Sequence, residues 1–475
     1  MGIFLRKLPV RGFNPFSLAL SSCGEKACDL PISGPSPAEK KPKHFFTCLT
    51  IGITLQGLQQ LVRSFRSDYG AFYVFASSRV HTNWSVWTKE LSHIKPYYAV
   101  KCNPDRALLK TLSSLGSGFD CASGKELLEV AEVQKGEFKD NVVYANPCKP
   151  MRDLQMAKSL GSPTTVVDSI EEVEKLKSVK WAGSALLRIL VEDESSLMPF
   201  SRKFGLPSEK AEELAKYAYK QGIPLRGVSF HVGSGCLDPN QYKKAIKKSH
   251  DVITTLNSQG HDADMVDIGG GFFSNKEQFE SYAQKIRSSM YQYNKRTLKY
   301  IGEPGRFFAE SAFDLFVQVI GKKPNLTSGG WRYTIDESLY GQFSCIPFDH
   351  KKPQWIRIPT SYENKDLPAR KRVKGTLYGR TCDSLDMIAD SNDMEELEVG
   401  DWLWFPNMGA YSSVTASEFN GFPKPPLHGS DRALFVPCVE QVKQEGFANR
   451  FPKDIKTVTA VSIDTSPTIV TPMFA

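Results

Sequence analysis

The chain has 475 residues, of which 41% are hydrophobic and 24% charged. These values are typical of a globular protein with two or three domains, and no run of about 18 apolar residues predicts a membrane-spanning helix. The net charge is +8, but the basic residues are scattered and not interleaved with aromatic ones, which argues against a nucleic-acid partner. Ten cysteines without a CxxC pair exclude a disulfide scaffold and favour a reducing compartment; no metal site is predicted.

The N-terminal residues 1–45 are rich in Pro, Gly, Ser and Lys, and we expect them to form a disordered extension. Residues 1–24 contain three basic residues, several serines and no acidic residue, which weakly resembles an organelle transit peptide. A basic tail on a cytoplasmic protein is the favoured interpretation, and organelle targeting is the alternative.

From about residue 71 to residue 312, short apolar runs alternate with longer amphipathic segments. The apolar runs include AFYVFA, YYAV, NVVYA, TTVVD, SALLRILV, LRGVSF, ADMVDI and LKYI. Repeated strand–helix units of this kind predict a (β/α)8 barrel, with a doubly wound open sheet as the alternative.

The pattern changes after residue 312. Segments such as FDLFVQVIGKK, WRYTIDESLYGQFS, KRVKGTLYG and DWLWFPNMGAYSSV are rich in strand formers and separated by turn residues. Residues 313–475 are therefore predicted to be a separate C-terminal β domain, built as a sandwich or barrel-like sheet.

Polar or glycine residues follow most of the predicted barrel strands. They are, in chain order, Lys101, Asp120, Arg188, His231, glycines 269–271, and Glu303 with Arg306. Taken singly, a strand-end histidine is commonly a hydrogen-bonded core residue, and a strand-end arginine is commonly an ion-pair partner. Because the C-terminal ends of barrel strands meet at one face, the set predicts a functional site there.

The chemistry of this set favours pyridoxal phosphate. Glycine-rich strand ends suit a phosphate, to which Arg306 and Ser234 can add donors. A buried lysine such as Lys101 loses its charge readily and becomes a nucleophile toward an aldehyde. Glu303 can pair with a pyridinium nitrogen. A phosphosugar-binding barrel would explain the glycines and Arg306 but would not need the lysine and glutamate together.

Nine motifs carry a resemblance to a known family. They are PYYAVKCNPD, GFDCAS, YANPCKP, HVGSG, DIGGGF, GEPGRFF, FDH at 348–350, TCDSLD at 381–386 and NMGAYSSVTASEFNGF at 407–422. In this order the chain resembles the eukaryotic ornithine decarboxylases, which belong to the alanine-racemase-like pyridoxal phosphate enzymes, and it looks plant-like. The resemblance implies a barrel over residues 71–312 and a β domain that residues 46–70 join.

The resemblance also implies roles in cofactor binding. Lys101 would hold pyridoxal phosphate as a Schiff base, Glu303 would pair with its ring nitrogen, and His231 would stack on its ring. The residues matching phosphate contacts are Ser234, Gly270, Arg306 and Tyr411, and those lining the rest of the cofactor site are Asp120 and Arg188.

For the substrate, L-ornithine, Asp349 and Asp383 match the carboxylates that hold the distal amine. Cys382 matches the residue that guides protonation after carbon dioxide leaves, so that Lys101, His231, Glu303 and Cys382 are the predicted catalytic residues. Family active sites form at a homodimer interface, where Cys382 and Asp383 reach into the other subunit's site. Tyr340 and Phe419 match further residues of that interface or pocket.

The chain departs from the family pattern beside these residues. Glu337 stands where the family has glycine, Arg380 where it has proline, and Ser384 where it has a smaller residue or glycine. These changes concern the loop geometry, the dimer affinity and the turnover rate. The chemical residues themselves are intact.

Two alternatives to ornithine decarboxylation remain. One is a decarboxylase for lysine, arginine or diaminopimelate. Carboxylates at 349 and 383 disfavour diaminopimelate, but one methylene discriminates lysine from ornithine by only about 1–3 kcal/mol. The other is an inactive paralogue that binds antizyme, the regulatory protein of this family; the complete set of cofactor residues argues against it.

Overall fold

The computed structural model describes residues 55–65, 70–134, 138–293, 298–358 and 370–429. The predicted disordered extension, residues 1–45, lies outside this part of the chain, as do residues 430–475. Within the described segments, no helix combines the length and apolar character needed to cross a membrane.

Eight parallel strands form a closed barrel in which the last strand pairs with the first. The strands are Ile94–Ala99, Gly118–Cys121, Val142–Tyr144, Thr164–Val167, Ala185–Arg188, Leu225–Ser229, Met265–Asp267 and Lys299–Gly302. Apolar side chains from six of them, including Tyr97, Val143 and Leu186, form a separate buried cluster. The predicted barrel is therefore confirmed, and the open sheet is not observed.

Helices connect successive barrel strands, and local capping signals start several of them. Asp105 accepts hydrogen bonds from Ala107 and Leu108, and Ser123 accepts one from Glu126, which satisfies N–H groups that the first helical turn leaves free. The helices of the barrel domain are Ser77–Glu90, Arg106–Leu115, Gly124–Ala131, Phe138–Asn141, Met151–Ser159, Ile170–Ser178, Ala211–Lys220, Asn240–Ser258, Lys276–Tyr293 and Arg306–Ala309. A two-stranded antiparallel sheet of Ser196–Met198 and Ser234–Cys236 completes it.

The β domain is an eight-stranded sheet. Its strands are Phe72–Phe75, Phe313–Pro324, Trp331–Ile335, Ile356–Ile358, Arg372–Tyr378, Met387–Glu395, Trp402–Phe405 and Leu427–Gly429, and its helix is Cys345–Asp349. Phe72–Phe75 lies within the range predicted for the barrel but pairs antiparallel with Phe313–Phe316. Helix Leu55–Phe65, within the predicted 46–70 segment, packs on this sheet through Leu58, Leu61 and Val62.

The segment after strand Trp402–Phe405 returns to the barrel and fixes the turn that carries Lys101. The N–H of Tyr411 donates to the Cys102 carbonyl at 3.0 Å, and the Asn103 side chain donates to the Gly409 carbonyl at 2.9 Å. The β domain thus contributes directly to the barrel mouth. Short 3-10 turns at Val100–Cys102, Ser208–Lys210, Glu310–Ala312, Gln342–Ser344 and Phe419–Gly421 complete the described elements.

Candidate active site

Lys101 lies at the mouth of the barrel, where strand Ile94–Ala99 passes into the 3-10 turn Val100–Cys102. Its Nζ donates to the carboxylate of Asp120, a fully buried residue on the neighbouring strand. Burial alone would lower the pKa of Lys101, but the charges of Asp120 and Glu303 outweigh burial and raise this pKa. The expectation that burial removes the charge of Lys101 is therefore wrong, because an ion pair offsets the loss of water.

Glu303 follows the barrel strand Lys299–Gly302 and is 4% exposed. Burial raises the pKa of this carboxyl well above its usual range, and the nearby carboxylates of Asp120 and Asp267 raise it further. Burial and these carboxylates therefore favour the protonated form of Glu303, and its Oε1 has no hydrogen-bond partner among the described residues.

Asp267 is a site residue that the sequence pattern missed, since it lies inside the strand Met265–Asp267 rather than after it. It accepts hydrogen bonds from the Ser229 hydroxyl at 3.0 Å and the Gly269 N–H at 2.9 Å. Burial raises its pKa to about 6. An aspartate within the otherwise apolar run MVDI is the sequence feature that could have identified it.

His231 and Arg188 occupy the ends of two neighbouring strands. The N–H of Gly233 donates to His231 Nδ1 at 3.0 Å, so this nitrogen carries no proton. Burial lowers the pKa of His231 well below its usual value, and the charges of Arg188 and Lys101 lower it further. A neutral imidazole therefore faces the site. The ring of Phe200, also missed, lies with its centroid 4.8 Å from that of His231.

The glycine run 269–271 forms a tightly packed backbone cradle. Gly269 and Gly271 have φ values of 66° and 97°, a region that favours glycine. A Cβ on Gly269 would overlap the Phe230 carbonyl, and one on Gly271 would overlap the carbonyl of Gly233. Ser234 follows Gly233, whose carbonyl lies beside Gly271, and begins the strand Ser234–Cys236.

Arg306 opens a short helix and lies within a network of charges. Its Nη2 donates to Asp349 Oδ1 at 2.5 Å, and its Nη1 is 3.6 Å from Glu310. Glu310 also accepts from Lys351 at 2.6 Å. Although burial raises the pKa of Glu310, these two cations outweigh it and lower the pKa to about 2.

Tyr411 and the second oxygen of Asp349 complete this network. The guanidinium carbon of Arg306 is 5.5 Å from the centroid of the Tyr411 ring. Asp349 Oδ2 is buried without a hydrogen-bond partner in the described ranges. Glu310 and Lys351 were not predicted, although Glu310 is four residues after Arg306, a spacing at which charged side chains meet on a helix.

A second cluster, separate from the barrel mouth, contains the remaining predicted residues Tyr340, Cys382, Asp383 and Phe419. The Tyr340 hydroxyl donates to the Asp383 carboxylate, and the Cys382 N–H donates to Asn420 at 2.9 Å. The rings of Tyr340 and Phe419 are 4.5 Å apart. Across residues 55–429 as far as they are described, no hydrogen bond or ion pair joins this cluster to the barrel mouth.

The barrel mouth fits pyridoxal phosphate. The cradle of residues 269–271 and the guanidinium of Arg306 suit a phosphate. One oxygen of Asp120 and one of Glu303 are buried near Lys101 and have no hydrogen-bond partner in the part of the chain that the structure describes. This combination on a (β/α)8 barrel with an added β domain defines the class of barrel-type pyridoxal phosphate enzymes.

Comparisons with known proteins narrow this class. Residues 77–310 match the family described as "Pyridoxal-dependent decarboxylase, pyridoxal binding domain". The chain is 38% identical over 364 residues to the ornithine decarboxylase of Schizosaccharomyces pombe, covering 76% of this chain and 83% of that protein. It is 36% identical to the chloroplastic ornithine decarboxylase of Nicotiana glauca (87% and 95% covered) and 36% identical to antizyme inhibitor 2 of Xenopus laevis (76% and 81% covered).

Solved structures agree with the sequence relatives. The Paramecium bursaria Chlorella virus arginine decarboxylase superposes with a TM-score of 0.74 at 32% identity, over 79% of this chain and 100% of that one. The Vibrio vulnificus lysine/ornithine decarboxylase superposes with a TM-score of 0.69 at 28% identity, over 79% and 98%. The chain belongs to the ornithine decarboxylase family of pyridoxal-dependent decarboxylases. The predicted family, fold class and cofactor are confirmed.

Proposed function

We propose that the protein decarboxylates L-ornithine to putrescine and carbon dioxide, with Lys101, His231, Glu303 and Cys382 as its catalytic residues. The observation that carries this proposal is the meeting of Lys101 with the buried carboxyls of Asp120 and Glu303 at the barrel mouth. A phosphosugar-binding barrel would not need this combination of a lysine with two carboxyls. Membership of the decarboxylase family supplies the reaction type.

Each residue of the barrel mouth has a task that its chemistry supports. Pyridoxal phosphate, when bound, withdraws electrons from the α-carbon of an attached amino acid. Lys101 supplies the amine that attaches the cofactor, and Asp120 orients that amine. Glu303, whose pKa is raised by burial, can share a proton with the ring nitrogen. The neutral ring of His231 offers a flat face for stacking, and Arg188 adds a positive charge beside it.

The opposite end of the site is assigned to the phosphate and the distal amine. Arg306, with Ser234, Gly270 and Tyr411, contacts the phosphate in this proposal. Asp349 and Asp383 bind the distal ammonium group. A buried carboxylate that lost its cationic partner would be costly, so the pair of carboxylates disfavours amino acids with apolar side chains.

Cys382 delivers the proton to the α-carbon, and we place it in the active site of a second copy of the chain. Cys382 is exposed, and beside it Leu385 and Phe419 are 72% and 42% exposed. Apolar side chains exposed around reactive groups favour burial against another subunit. The protein is therefore proposed to be a homodimer with shared active sites.

The decisive experiment measures carbon dioxide and diamine release by the purified protein with added pyridoxal phosphate. Ornithine, lysine and arginine are supplied separately, with Lys101→Ala as the control. We expect putrescine from ornithine and no product from the control. No diamine from any of the three amino acids would refute the enzyme assignment, and full activity of Lys101→Ala would refute the role of that lysine.

Mixing two inactive variants tests the shared site. Lys101→Ala and Cys382→Ala homodimers that exchange subunits form about half heterodimers, each with one intact site, so about a quarter of the parental activity should return. No recovery, under conditions in which labelled subunits demonstrably exchange, would contradict a shared site.

Lysine decarboxylation is the second candidate, favoured by the likeness to the structure named for both lysine and ornithine. Measurement of kcat/KM for both amino acids decides between them. A higher kcat/KM for lysine than for ornithine would identify lysine as the substrate.

The likeness to antizyme inhibitor 2 supports an antizyme as a regulatory partner. Binding without any decarboxylation would identify the inactive paralogue instead.

We propose the cytoplasm as the site of action. The likeness to a relative named as chloroplastic supports the alternative. Fluorescent fusions of the full chain and of a chain lacking residues 1–24 distinguish them, because only a targeted protein would move to the cytoplasm when these residues are removed.

A further inference from the structure

Glu337 and Arg380, two positions at which the chain departs from its family pattern, are neighbours in the folded protein. The Arg380 N–H donates to the Glu337 carbonyl at 3.2 Å. Glu337 is 1% exposed, and both side chains line one small cavity of about 10 Å³. The departures therefore belong to one local structure.

The two side chains carry opposite charges, and each has a buried polar atom whose hydrogen-bonding capacity is unused by the described residues. Glu337 Oε1 accepts from the N–H groups of Ser338 and Gln342 at 2.7 and 3.3 Å. Glu337 Oε2 and Arg380 Nε are buried and lack a hydrogen-bond partner within the described part of the chain. Burial raises the pKa of Glu337 to about 7, and the charge of Arg380 opposes that rise.

The position of Arg380 is fixed from its other side. Its guanidinium lies 4.4 Å from the centroid of the Phe422 ring, and Nη2 donates to the Pro423 carbonyl at 3.2 Å. The arginine is therefore held in place rather than extended into solvent, which fixes its position beside the cavity that it shares with Glu337.

Glu337 and Arg380 lie at the start of two segments that together hold Asp383. Residues 337–342 carry Tyr340, whose hydroxyl donates to Asp383. Residues 380–386 carry Asp383 itself. Asp386 joins the two segments, since its carboxylate accepts from the N–H groups of Leu339 at 2.6 Å and Thr381 at 3.0 Å.

We propose that Glu337 and Arg380 are a matched pair of positioning residues that fix Tyr340 and Asp383 for recognition of the substrate's distal amine. This inference rests on the proposed role of Asp383. Glycine and proline, the family's residues at these positions, need no charge balance. A mixed pair does: glutamate opposite proline is a buried carboxylate without a cation, and arginine opposite glycine is a cation without its carboxylate.

A double-mutant cycle in the full-length protein loaded with pyridoxal phosphate tests the pair. The proteins are the parent, Glu337→Gly, Arg380→Pro and the double variant, and the dissociation constant of putrescine is measured by calorimetry. Each single variant should weaken binding about tenfold, while the double variant should remain within about threefold of the parent. Losses that simply multiply in the double variant would overturn the proposal.

Two further variants separate positioning from stability. Arg380→Lys keeps the charge and should bind putrescine almost as the parent does. Arg357→Gln removes an arginine that pairs with Glu395 elsewhere in the same sheet; it should lower the thermal unfolding midpoint and leave the putrescine constant unchanged. Coupling of Glu337 and Arg380 in the unfolding midpoint alone, without coupling in putrescine binding, would refute the positioning role.

The cycle does not depend on turnover. Should Arg380→Pro fail to fold, Glu337→Gln and Arg380→Gln form a second cycle with the same expected coupling. A parent that binds putrescine but releases no carbon dioxide from ornithine would reject the proposed function, while the cycle would still decide the role of the pair. A parent that binds no putrescine would overturn both.

Discussion

The ion pair between Arg306 and Asp349 predicts that Asp349→Asn strengthens the binding of pyridoxal phosphate and weakens the binding of ornithine. Arg306 and Lys351 are balanced by Glu310 and Asp349, so the substitution leaves one positive charge in excess. The Asp349 side chain is only 3% exposed, which limits screening by water.

The magnitudes follow from the geometry. If a phosphate contacted the same guanidinium at about 6 Å from Asp349, the two like charges would repel by about 3 kcal/mol at an effective dielectric constant of about 20. Allowing for screening, removal of Asp349 should tighten phosphate binding about tenfold. The distal amine loses a charge-assisted hydrogen bond worth about 1.5–3 kcal/mol, which raises the KM for ornithine about 10- to 150-fold.

Titration of the cofactor-free protein with pyridoxal phosphate, followed by absorbance, measures the first effect, and initial rates measure the second. Asp401→Asn, which removes a buried carboxylate paired with Arg370 in the β domain, is the matched control and should change neither constant. Weaker binding of both ligands would refute the reasoning, because it would mean that Asp349 chiefly holds Arg306 in place. An unchanged KM would refute the contact with the distal amine.

Two other substitutions test the charge assignments. Because the folded-state pKa of Glu310 is about 2, below its usual value of 4.5, its stabilisation is present above pH 4.5 and is lost as pH falls toward 2. Glu310→Gln should therefore lower the free energy of unfolding at pH 7 by on the order of 3 kcal/mol; equal urea midpoints for both proteins at pH 7 would contradict the ion pairs. Glu303→Gln should lower kcat at least about a hundredfold. Since the folded-state pKa of Glu303 is raised, its burial costs stability above its unfolded pKa, so this variant should be as stable as the parent or more stable at pH 7; a marked fall in its unfolding midpoint would contradict the assignment.

The barrel was predictable because its signals are local. Each strand is an apolar run, and caps such as Asp105 and Ser123 mark the start of the following helix. Strand Phe72–Phe75 shows the limit of this reasoning. Its composition matches that of a barrel strand, and only its pairing with Phe313–Phe316, about 240 residues later in the chain, assigns it to the β domain.

The grouping of residues at the barrel mouth was predictable for a geometric reason. Parallel strands bring their C-terminal ends to one face, so Lys101, His231 and Glu303 could be grouped before any distance was known. Their protonation states could not be predicted, because these depend on distances between side chains of different strands. The charge of Lys101 is set by Asp120, and the proton on Glu303 depends on burial and on Asp267.

Two predicted residues, Glu303 and Arg306, are thus influenced by a neighbour that the strand-end pattern overlooks. Asp267 helps to keep Glu303 protonated, and Glu310 holds Arg306. Because Glu310 lies outside the motifs quoted above, a chain can keep every one of those motif residues and still lose activity through a change at Glu310. A departure from the family pattern can also leave catalysis intact. Glu337 and Arg380 differ from that pattern together and carry opposite charges, so their presence does not by itself argue against catalysis.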